Sequence, residues 1–179
     1  MNNAIWDSYF LTICRTIATK SPCLSRKIGA ILVRDKSIVS TGYNGPPRGI
    51  PHCGHDRIIS DEVLSDLLMT EDNYNPDWSI GYINTTCPRK MLNYSSGTHL
   101  ELCPAQHAEE NAVSNAARNG VSVLGCTLYM NSKIPCKNCF GTLINAGIVE
   151  IVVEDKVVYD KYTQFLIDNS NIKIREFMR

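Results

Sequence analysis

The chain has 179 residues, and its 18 basic and 18 acidic side chains give a formal net charge of zero. A neutral chain lacks the long-range positive field with which proteins coat duplex DNA or anionic membranes, so both classes are excluded. Its apolar content of 44% is ordinary for a globular protein. Because a chain of this size buries roughly 70% of its unfolded surface, we expect one domain over 1–179 that needs no disulfide framework.

The beginning of the sequence carries no recognisable targeting signal. No basic segment precedes the first apolar stretch, which Trp6-Asp7-Ser8 interrupts, and no run approaches ~18 apolar residues. The eight cysteines are therefore predicted to be thiols or metal ligands in a reducing compartment. We expect a cytoplasmic protein without a membrane segment.

The first elements along the chain are a helix and a hairpin. Apolar residues recur every four positions in the helical segment, and short runs rich in β-branched residues follow it. A two-residue turn at Asp35-Lys36 separates the two runs and favours a hairpin. The predicted helix and strands lie at residues 4–19, 28–34 and 37–43.

Residues 50–103 differ in composition from the rest of the chain. Seven acidic side chains and one arginine lie between Asp56 and Asp77. We predict a short helix near 61–69. Loops are predicted at Pro76, Pro88 and Asn93–Thr98. We interpret 50–103 as an insertion that decorates the core rather than as a second domain.

A regular alternation of helices and strands follows the insertion. Helices are predicted at 107–119, 136–146 and 158–168. Strands are predicted at 126–130, 149–154 and 171–177. Such alternation predicts the α/β class, a three-layer α/β/α sandwich around a mixed sheet of about five strands, with a long insertion.

Two short motifs carry the candidate chemistry, each at a predicted helix start: His107-Ala-Glu109 and Pro135-Cys136-Lys-Asn-Cys139. Cysteines three residues apart lie on one side of a helix, and a helix N-terminus favours the thiolate that binds zinc. His107 supplies a third ligand. One imidazole and two thiolates leave the fourth tetrahedral position of Zn²⁺ open for water, as in catalytic zinc sites.

Glu109 completes the candidate site. It follows the histidine by two residues, need not bind the metal, and can exchange protons with a water whose pKa zinc lowers towards ~7. Alone, a C-x-x-C pair is equally typical of a redox pair or half of a structural zinc site. The combination of H-x-E with P-C-x-x-C is the known pattern of zinc nucleobase deaminases.

On these residues the chain resembles the cytidine deaminase-like superfamily and, within it, the deoxycytidylate (dCMP) deaminases. Two further segments share the resemblance, Ser25-Arg-Lys-Ile-Gly-Ala-Ile-Leu-Val and Thr41-Gly-Tyr-Asn-Gly-Pro-Pro. The Gly-Tyr-Asn-Gly piece at 42–45 is what resembles dCMP deaminases in particular. The segment 56–102 has no counterpart that can be aligned.

The resemblance implies hydrolytic deamination of dCMP to dUMP and ammonia, which feeds dTTP synthesis. A zinc-activated water would attack C4 of cytosine while Glu109 shuttles protons. The resemblance also implies that Asn44 contacts the sugar 3′-hydroxyl and that the backbone at Ala108 and Pro135 holds the pyrimidine. The local basic cluster then becomes the candidate 5′-phosphate site: Ser25, Arg26 and Lys27.

The family further implies a homo-oligomer (hexamer or dimer), activated by dCTP and inhibited by dTTP, with Mg²⁺ on the triphosphate. The candidate effector contacts are Gly42, Tyr43, Gly45 and Arg118. For Arg118, a plain solvent-facing charge is the competing interpretation.

Some relatives carry a second, structural zinc near the insertion. Its candidate ligands are Cys53, His55, Cys87 and Cys103, with His52 as an alternative to His55. Unpaired thiols and a surface histidine are the competing interpretation. The remaining cysteines, Cys14, Cys23 and Cys126, are predicted to be core or surface thiols, and His99 a loop residue.

Three alternatives to a dCMP deaminase remain open at this stage. A tRNA adenosine deaminase uses the same zinc and glutamate, but it needs a basic face that a neutral chain with an acidic insertion does not favour. A deaminase of free cytidine has no use for the basic cluster. A non-catalytic zinc-stabilised binding module would make Glu109 incidental. We expect neither nucleic acid nor membrane as a partner.

Overall fold

The computed structural model describes residues 3–95, 97–158 and 160–177. Its α-helices are α1 Asn3–Ala18, α2 His55–Ser60, α3 Glu62–Leu68, α4 Ile80–Thr85, α5 Pro88–Met91, α6 Ala108–Arg118, α7 Lys137–Asn145 and α8 Lys161–Asp168. Its strands are β1 Gly29–Arg34, β2 Ser37–Tyr43, β3 Thr127–Lys133, β4 Glu150–Asp155 and β5 Lys173–Glu176. A short 3₁₀ helix spans Leu100–Leu102. Among the described residues, no helix has the length and apolar character to cross a bilayer.

The chain divides into two compact units. The core unit comprises Met1–Ser21, Lys27–Asn44 and His107–Arg179, and the insert unit comprises Pro22–Arg26 and Gly45–Gln106. The expected insertion at 50–103 falls within the insert unit. The organisation of residues 1–179 as one domain stays a prediction.

The core unit is built on one mixed sheet of five strands in the order β2-β1-β3-β4-β5. Strand β1 runs antiparallel to both β2 and β3, whereas β3, β4 and β5 are mutually parallel. The predicted number of strands and the mixed character of the sheet are confirmed. Parallel neighbours require crossover connections, and α7 and α8 supply them.

The predicted hairpin is confirmed, and its turn has an uncommon composition. Asp35 and Lys36 both adopt positive φ, at 51° and 61°. Two-residue hairpin turns with positive φ at both positions match the twist of the strands they join, but they usually contain glycine. Here two non-glycine residues hold that conformation between β1 and β2.

Helices cover both faces of the sheet. On one face the buried side chains of α6 and α7, such as Ala112 and Phe140, pack against Leu32 and neighbouring sheet residues. On the other, Phe10 of α1 packs against Ile31 and its neighbours. Alternate residues of β1 thus enter opposite layers, as the period of a strand requires. This is the predicted three-layer arrangement.

The insert unit has a small apolar cluster of its own, formed by Ile58, Leu64, Leu68, Met91 and Leu92. Its α3 confirms the helix predicted near 61–69, and the Asp61 side chain caps it by accepting from the Leu64 amide.

The loop predicted at Pro88 is wrong, because Pro88 begins α5. Proline is well suited to the first position of a helix, where its missing N–H costs no hydrogen bond. The analysis also omitted α2 and α4. With six residues each, these helices have fewer than two turns and show no clear hydrophobic period.

Candidate zinc site

The candidate site begins with the placement of α6 against β2. Asn111 and Asn115 each donate a side-chain hydrogen bond of 2.8 Å to a backbone carbonyl of β2. Gly42 lies so close to α6 that a Cβ there would be 2.2 Å from the Ala108 carbonyl oxygen. The glycine therefore lets α6 lie directly on the strand, and this packing sets the position of the helix start.

Both motifs stand at helix starts, as predicted. His107 is the N-cap residue of α6 and Cys136 that of α7, and neither uses its side chain for a capping hydrogen bond. The His107 Nδ1 atom lies 3.2 Å from Cys139 Sγ and 3.6 Å from Cys136 Sγ. The two sulfur atoms are 3.5 Å apart.

These spacings fit a zinc ion. Zinc lies about 2.3 Å from sulfur and 2.0–2.1 Å from nitrogen, so tetrahedral ligand atoms are separated by roughly 3.5–3.8 Å. The three distances are close to this range. Among the described residues, this is the one group of three or more His, Cys, Asp or Glu whose ligand atoms all lie within 4.8 Å of one another. Three protein ligands are the number typical of catalytic zinc.

Without metal, hydrogen bonding distributes protons unevenly over the three side chains. Hydrogen bonding from Cys139, together with that from His107, lowers the pKa of Cys136 to about 4. Hydrogen bonding to Cys136 raises the pKa of His107 to about 9. The pKa of Cys139 is raised, first by its hydrogen bond to Cys136 and then by burial. Without metal, the group is thus a thiolate, an imidazolium and a thiol.

Glu109 lies beside this group with only 3% of its surface exposed. Its Oε1 atom is 4.0 Å from His107 Nδ1. Burial raises the pKa of the Glu109 carboxyl, although the nearby His107 charge opposes the effect. A buried carboxyl with a raised pKa, next to a metal-binding group, is the type of side chain that exchanges protons near neutral pH.

Asn44, the residue implied for the sugar, is buried directly after β2. Its Oδ1 atom accepts hydrogen bonds of 2.8 Å from the Ile28 amide and from the Ser21 hydroxyl. The sequence analysis did not find Ser21, because it lies 23 residues from Asn44 and no local motif includes both.

The candidate base and phosphate residues have contrasting environments. Ala108 and Pro135 are buried, each adjacent in the chain to a candidate zinc ligand. Lys27 belongs to the core unit and donates a 3.0 Å hydrogen bond from Nζ to the Ser21 carbonyl. Half-buried Ser25 and exposed Arg26 belong to the insert unit.

The candidate ligands of a second zinc all lie in the insert unit. Cys53 Sγ is 3.6 Å from an Arg57 nitrogen, and burial raises the Cys53 pKa, with smaller contributions from Cys87 and Cys103. His55 is exposed. In the described part of the chain these side chains do not form a group of three ligand atoms within 4.8 Å. Cys87 and Cys103 affect the pKa of Cys53 but do not reach the spacing of a metal site with it.

The candidate effector contacts also differ in environment. Gly42 is packed against α6. Gly45 is buried and pairs with Gln106 in an isolated bridge. The two remaining candidates, Tyr43 and Arg118, are exposed.

The other cysteines and His99 lie as predicted. Cys14 and Cys126 are buried core thiols, and burial raises the Cys14 pKa to about 12, whereas Cys23 is half-buried. His99 lies in a loop, just before the 3₁₀ helix.

The core unit thus combines a mixed five-stranded sheet with a histidine and a cysteine pair that meet where α6 and α7 begin. A family model described as the cytidine and deoxycytidylate deaminase zinc-binding region matches residues 4–155. The chain belongs to this family.

Curated relatives agree with this assignment. The deoxycytidylate deaminase of Saccharomyces cerevisiae is 30% identical over 172 residues, which cover 96% of this chain and 45% of the relative. That of Mycobacterium phage D29 is 31% identical over 168 residues, covering 90% of this chain and 98% of the relative. The chain thus spans about half the length of the yeast relative but nearly all of the phage relative.

A solved structure shows the same fold. The dCMP deaminase from cyanophage S-TIM5, in complex with dCMP and dUMP, superposes with a TM-score of 0.63 at 21% identity, covering 98% of both chains. At this identity, the likeness concerns the fold alone.

Proposed function

We propose that this chain removes the amino group of dCMP by hydrolysis, giving dUMP and ammonia for dTTP synthesis. The observation that carries the proposal is the group of His107, Cys136 and Cys139 at zinc-ligand spacing, with a buried glutamate beside it. Relatives named deoxycytidylate deaminase support the choice of dCMP among cytosine compounds.

In the proposed mechanism, His107, Cys136 and Cys139 hold the metal, and zinc bound there would supply the Lewis acidity that lowers the pKa of a water molecule to about 7. Glu109 accepts one proton from the attacking water and delivers it to N3 of cytosine. It then accepts the second proton, from the hydroxyl now on C4, and delivers it to the departing amine, so that the C4–N bond breaks and ammonia leaves. The raised pKa of Glu109 suits this role, because a shuttle must both take up and release a proton near neutral pH.

The substrate is held by groups around this centre. Asn44 contacts the sugar 3′-hydroxyl, and the backbone at Ala108 and Pro135 holds the flat pyrimidine. Lys27 binds the 5′-phosphate together with the residues on its N-terminal side, Ser25 and Arg26. Two adjacent cations and a hydroxyl suit a monophosphate, because hydrogen bonds to a charged acceptor are stronger than neutral ones.

The test is the variant Glu109→Gln, assayed for ammonia release from dCMP and for bound zinc. General acid–base catalysis contributes typically ~10²–10⁴-fold, so we expect a loss of that order with one zinc per chain retained at this site. Glu110→Gln is the matched control, since Glu110 is the neighbouring carboxylate in the first turn of α6, and its rate should stay within a few-fold of the unmodified protein. Full activity of Glu109→Gln would contradict the shuttle.

A second, structural zinc in the insert unit is part of the proposal, held by Cys53, Cys87 and Cys103 with His55 or His52. The electrostatic effect of Cys87 and Cys103 on the pKa of Cys53 supports it, and metal binding would draw the ligand atoms together. Metal analysis should then give two zinc ions per chain. Cys87→Ser and His107→Ala should each reduce the count to one, because each removes a ligand of a different site. A single zinc in the unmodified protein would refute this site.

Regulation is the last part of the proposal. We infer a cytoplasmic homo-oligomer, a hexamer or dimer, that dCTP with Mg²⁺ activates and dTTP inhibits. The candidate effector contacts are the exposed residues Tyr43 and Arg118, in addition to Gly42 and Gly45. Measuring dCMP deamination with and without each triphosphate tests the regulation, and the mass of the protein in solution tests the assembly.

A further inference from the structure

We propose that Ser21 is a positioning residue that fixes the orientation of the Asn44 carboxamide, so that Asn44 offers only N–H donors to the sugar of the nucleotide. This inference rests on the proposed function in one respect, the contact between Asn44 and the sugar.

The hydrogen bonds around Asn44 leave its amide one orientation. Ser21 has 2% of its surface exposed, and its hydroxyl lies 2.7 Å from the Asn44 carbonyl oxygen and 2.8 Å from Asn44 Oδ1. The Ile28 amide donates to the same Oδ1 at 2.8 Å. An amide oxygen has two lone pairs, so these two donors use its acceptor capacity.

Rotating the carboxamide by half a turn would be unfavourable. The NH₂ group would then face the fixed N–H of Ile28, and two donors would oppose each other in a buried place. The Asn44 backbone is also held, because its N–H donates to the Ile28 carbonyl at 3.1 Å. The single proton of the Ser21 hydroxyl faces both Oδ1 and the Asn44 carbonyl oxygen, so Ser21 adds a bifurcated second donor to Oδ1.

The chemical consequence concerns the substrate. With its oxygen engaged by Ser21 and Ile28, Asn44 can recognise a ligand only through N–H, which requires an acceptor such as the lone pairs of a sugar hydroxyl oxygen. Ser21 also reaches the candidate phosphate residue, since its backbone carbonyl accepts from Lys27 Nζ. Because the variant Ser21→Ala keeps that carbonyl, it separates the two roles.

The experiment compares dCMP with 2′,3′-dideoxycytidine monophosphate, which lacks the 3′-hydroxyl. We expect Ser21→Ala to lower kcat/KM for dCMP by about 10-fold, mainly through KM, and to change kcat/KM for the dideoxy compound by less than about twofold. In the Asn44→Ala background, Ser21→Ala should have no further effect on dCMP. Equal losses on both substrates, or an undiminished loss without Asn44, would overturn the proposal.

Two further variants keep the test decisive if Ser21→Ala folds poorly. Ser21→Cys keeps the shape of the side chain but donates weakly, and it should show the same selective loss. Ser40→Ala is the matched control, because Ser40 is a buried serine whose hydroxyl donates to the Ala112 carbonyl at 2.7 Å. Ser40→Ala should lose about as much stability as Ser21→Ala, but the ratio of kcat/KM for dCMP to kcat/KM for the dideoxy compound should not change.

The outcomes distinguish this inference from the proposed function. If the unmodified protein does not deaminate dCMP, the proposed function itself fails. If it does, and Glu109→Gln is inactive while Ser21→Ala is unselective, only the positioning role is refuted.

Discussion

The protonation of the three candidate zinc ligands has a measurable consequence at the scale of single residues. Zinc requires a neutral imidazole and two thiolates. At pH 7, the raised pKa of His107 leaves its imidazole charged, the raised pKa of Cys139 leaves it a thiol, and the lowered pKa of Cys136 already makes it a thiolate. Zinc uptake should therefore release about two protons, one from His107 and one from Cys139.

Calorimetric titration of the metal-free protein with zinc in buffers of different ionisation enthalpy measures this number. The number of protons released per zinc ion should decrease as the pH rises through about 9, because His107 then loses its proton before zinc binds. The Cys136→Ser variant removes the partner that raises the His107 pKa, so it should release fewer protons at pH 8. Release of no protons at pH 7 would contradict the assigned charges.

A second residue-scale prediction concerns the phosphate. Replacing Lys27 with alanine should lower kcat/KM for dCMP by about 10- to 100-fold but leave deoxycytidine nearly unchanged, because only dCMP carries the anion that an ammonium group binds. Parallel steady-state assays on the two substrates measure the difference. Lys20→Ala, an exposed lysine beyond α1, is the control and should affect neither. Equal losses on both substrates would remove Lys27 from the phosphate site.

At this scale, the sequence predicted the side chains that belong to local motifs. Cys136 and Cys139 lie together because three residues separate them at the start of α7, where spacing along the chain translates directly into spacing in the fold. Their approach to His107 depends instead on how α6 and α7 pack on the sheet. The Ser21–Asn44 contact could not be predicted, because it depends on how the segment after α1 meets the end of β2.

Among the elements, the contact between β2 and α6 depends on the absence of a side chain at Gly42. The variant Gly42→Ala should destabilise the fold by about 1–3 kcal/mol and weaken zinc binding, because its Cβ would meet fixed backbone atoms of α6 and displace the start of that helix. Denaturant unfolding and zinc affinity measure the two effects.

Gly141→Ala is the matched control for this variant. Gly141 lies within α7, and a Cβ there would have no atom within 4 Å. Since alanine is favoured over glycine inside a helix, this change should stabilise the protein by up to ~1 kcal/mol. Unchanged stability of Gly42→Ala would show that α6 does not depend on the close approach.

Elements with several turns, or with alternating β-branched residues, could be predicted from sequence, and their observed ends differ from prediction by only a few residues. α8 illustrates the remaining error, since it begins at Lys161 rather than 158, after Asp160 caps it by accepting from the Thr163 amide. The short helices α2, α4 and α5 depend on packing within the insert unit, which no local pattern records.

For the whole molecule, the two units should differ in local stability. The central strands β1, β3 and β4 are buried on both sides, whereas the insert unit has helices of four to seven residues and a small apolar cluster. We expect the Leu64 amide in α3 to exchange with solvent deuterium at least ~10²-fold faster than the Val152 amide in β4, since local opening needs less free energy where fewer apolar contacts break.

Hydrogen exchange followed by mass spectrometry or NMR measures these rates, and it also tests the expected insertion. Faster exchange should extend over 45–106 and stop near both ends of that segment. Uniform protection across the chain would contradict it and would favour one cooperative unit. Composition indicated this segment because of its excess of acidic residues, but its extent follows from contacts that are distant in sequence.

One of the two outer strands of the sheet, β5, bears on how the protein avoids aggregation by strand pairing. It has four residues, three of them charged, and pairs on one side with β4. Arg175 is anchored there by bidentate hydrogen bonds to buried Asp7 and by another to Glu150. A short edge strand with charged side chains pairs poorly with an additional β-strand. The protein should therefore not form fibrils through the exposed edge of β5, even at high concentration.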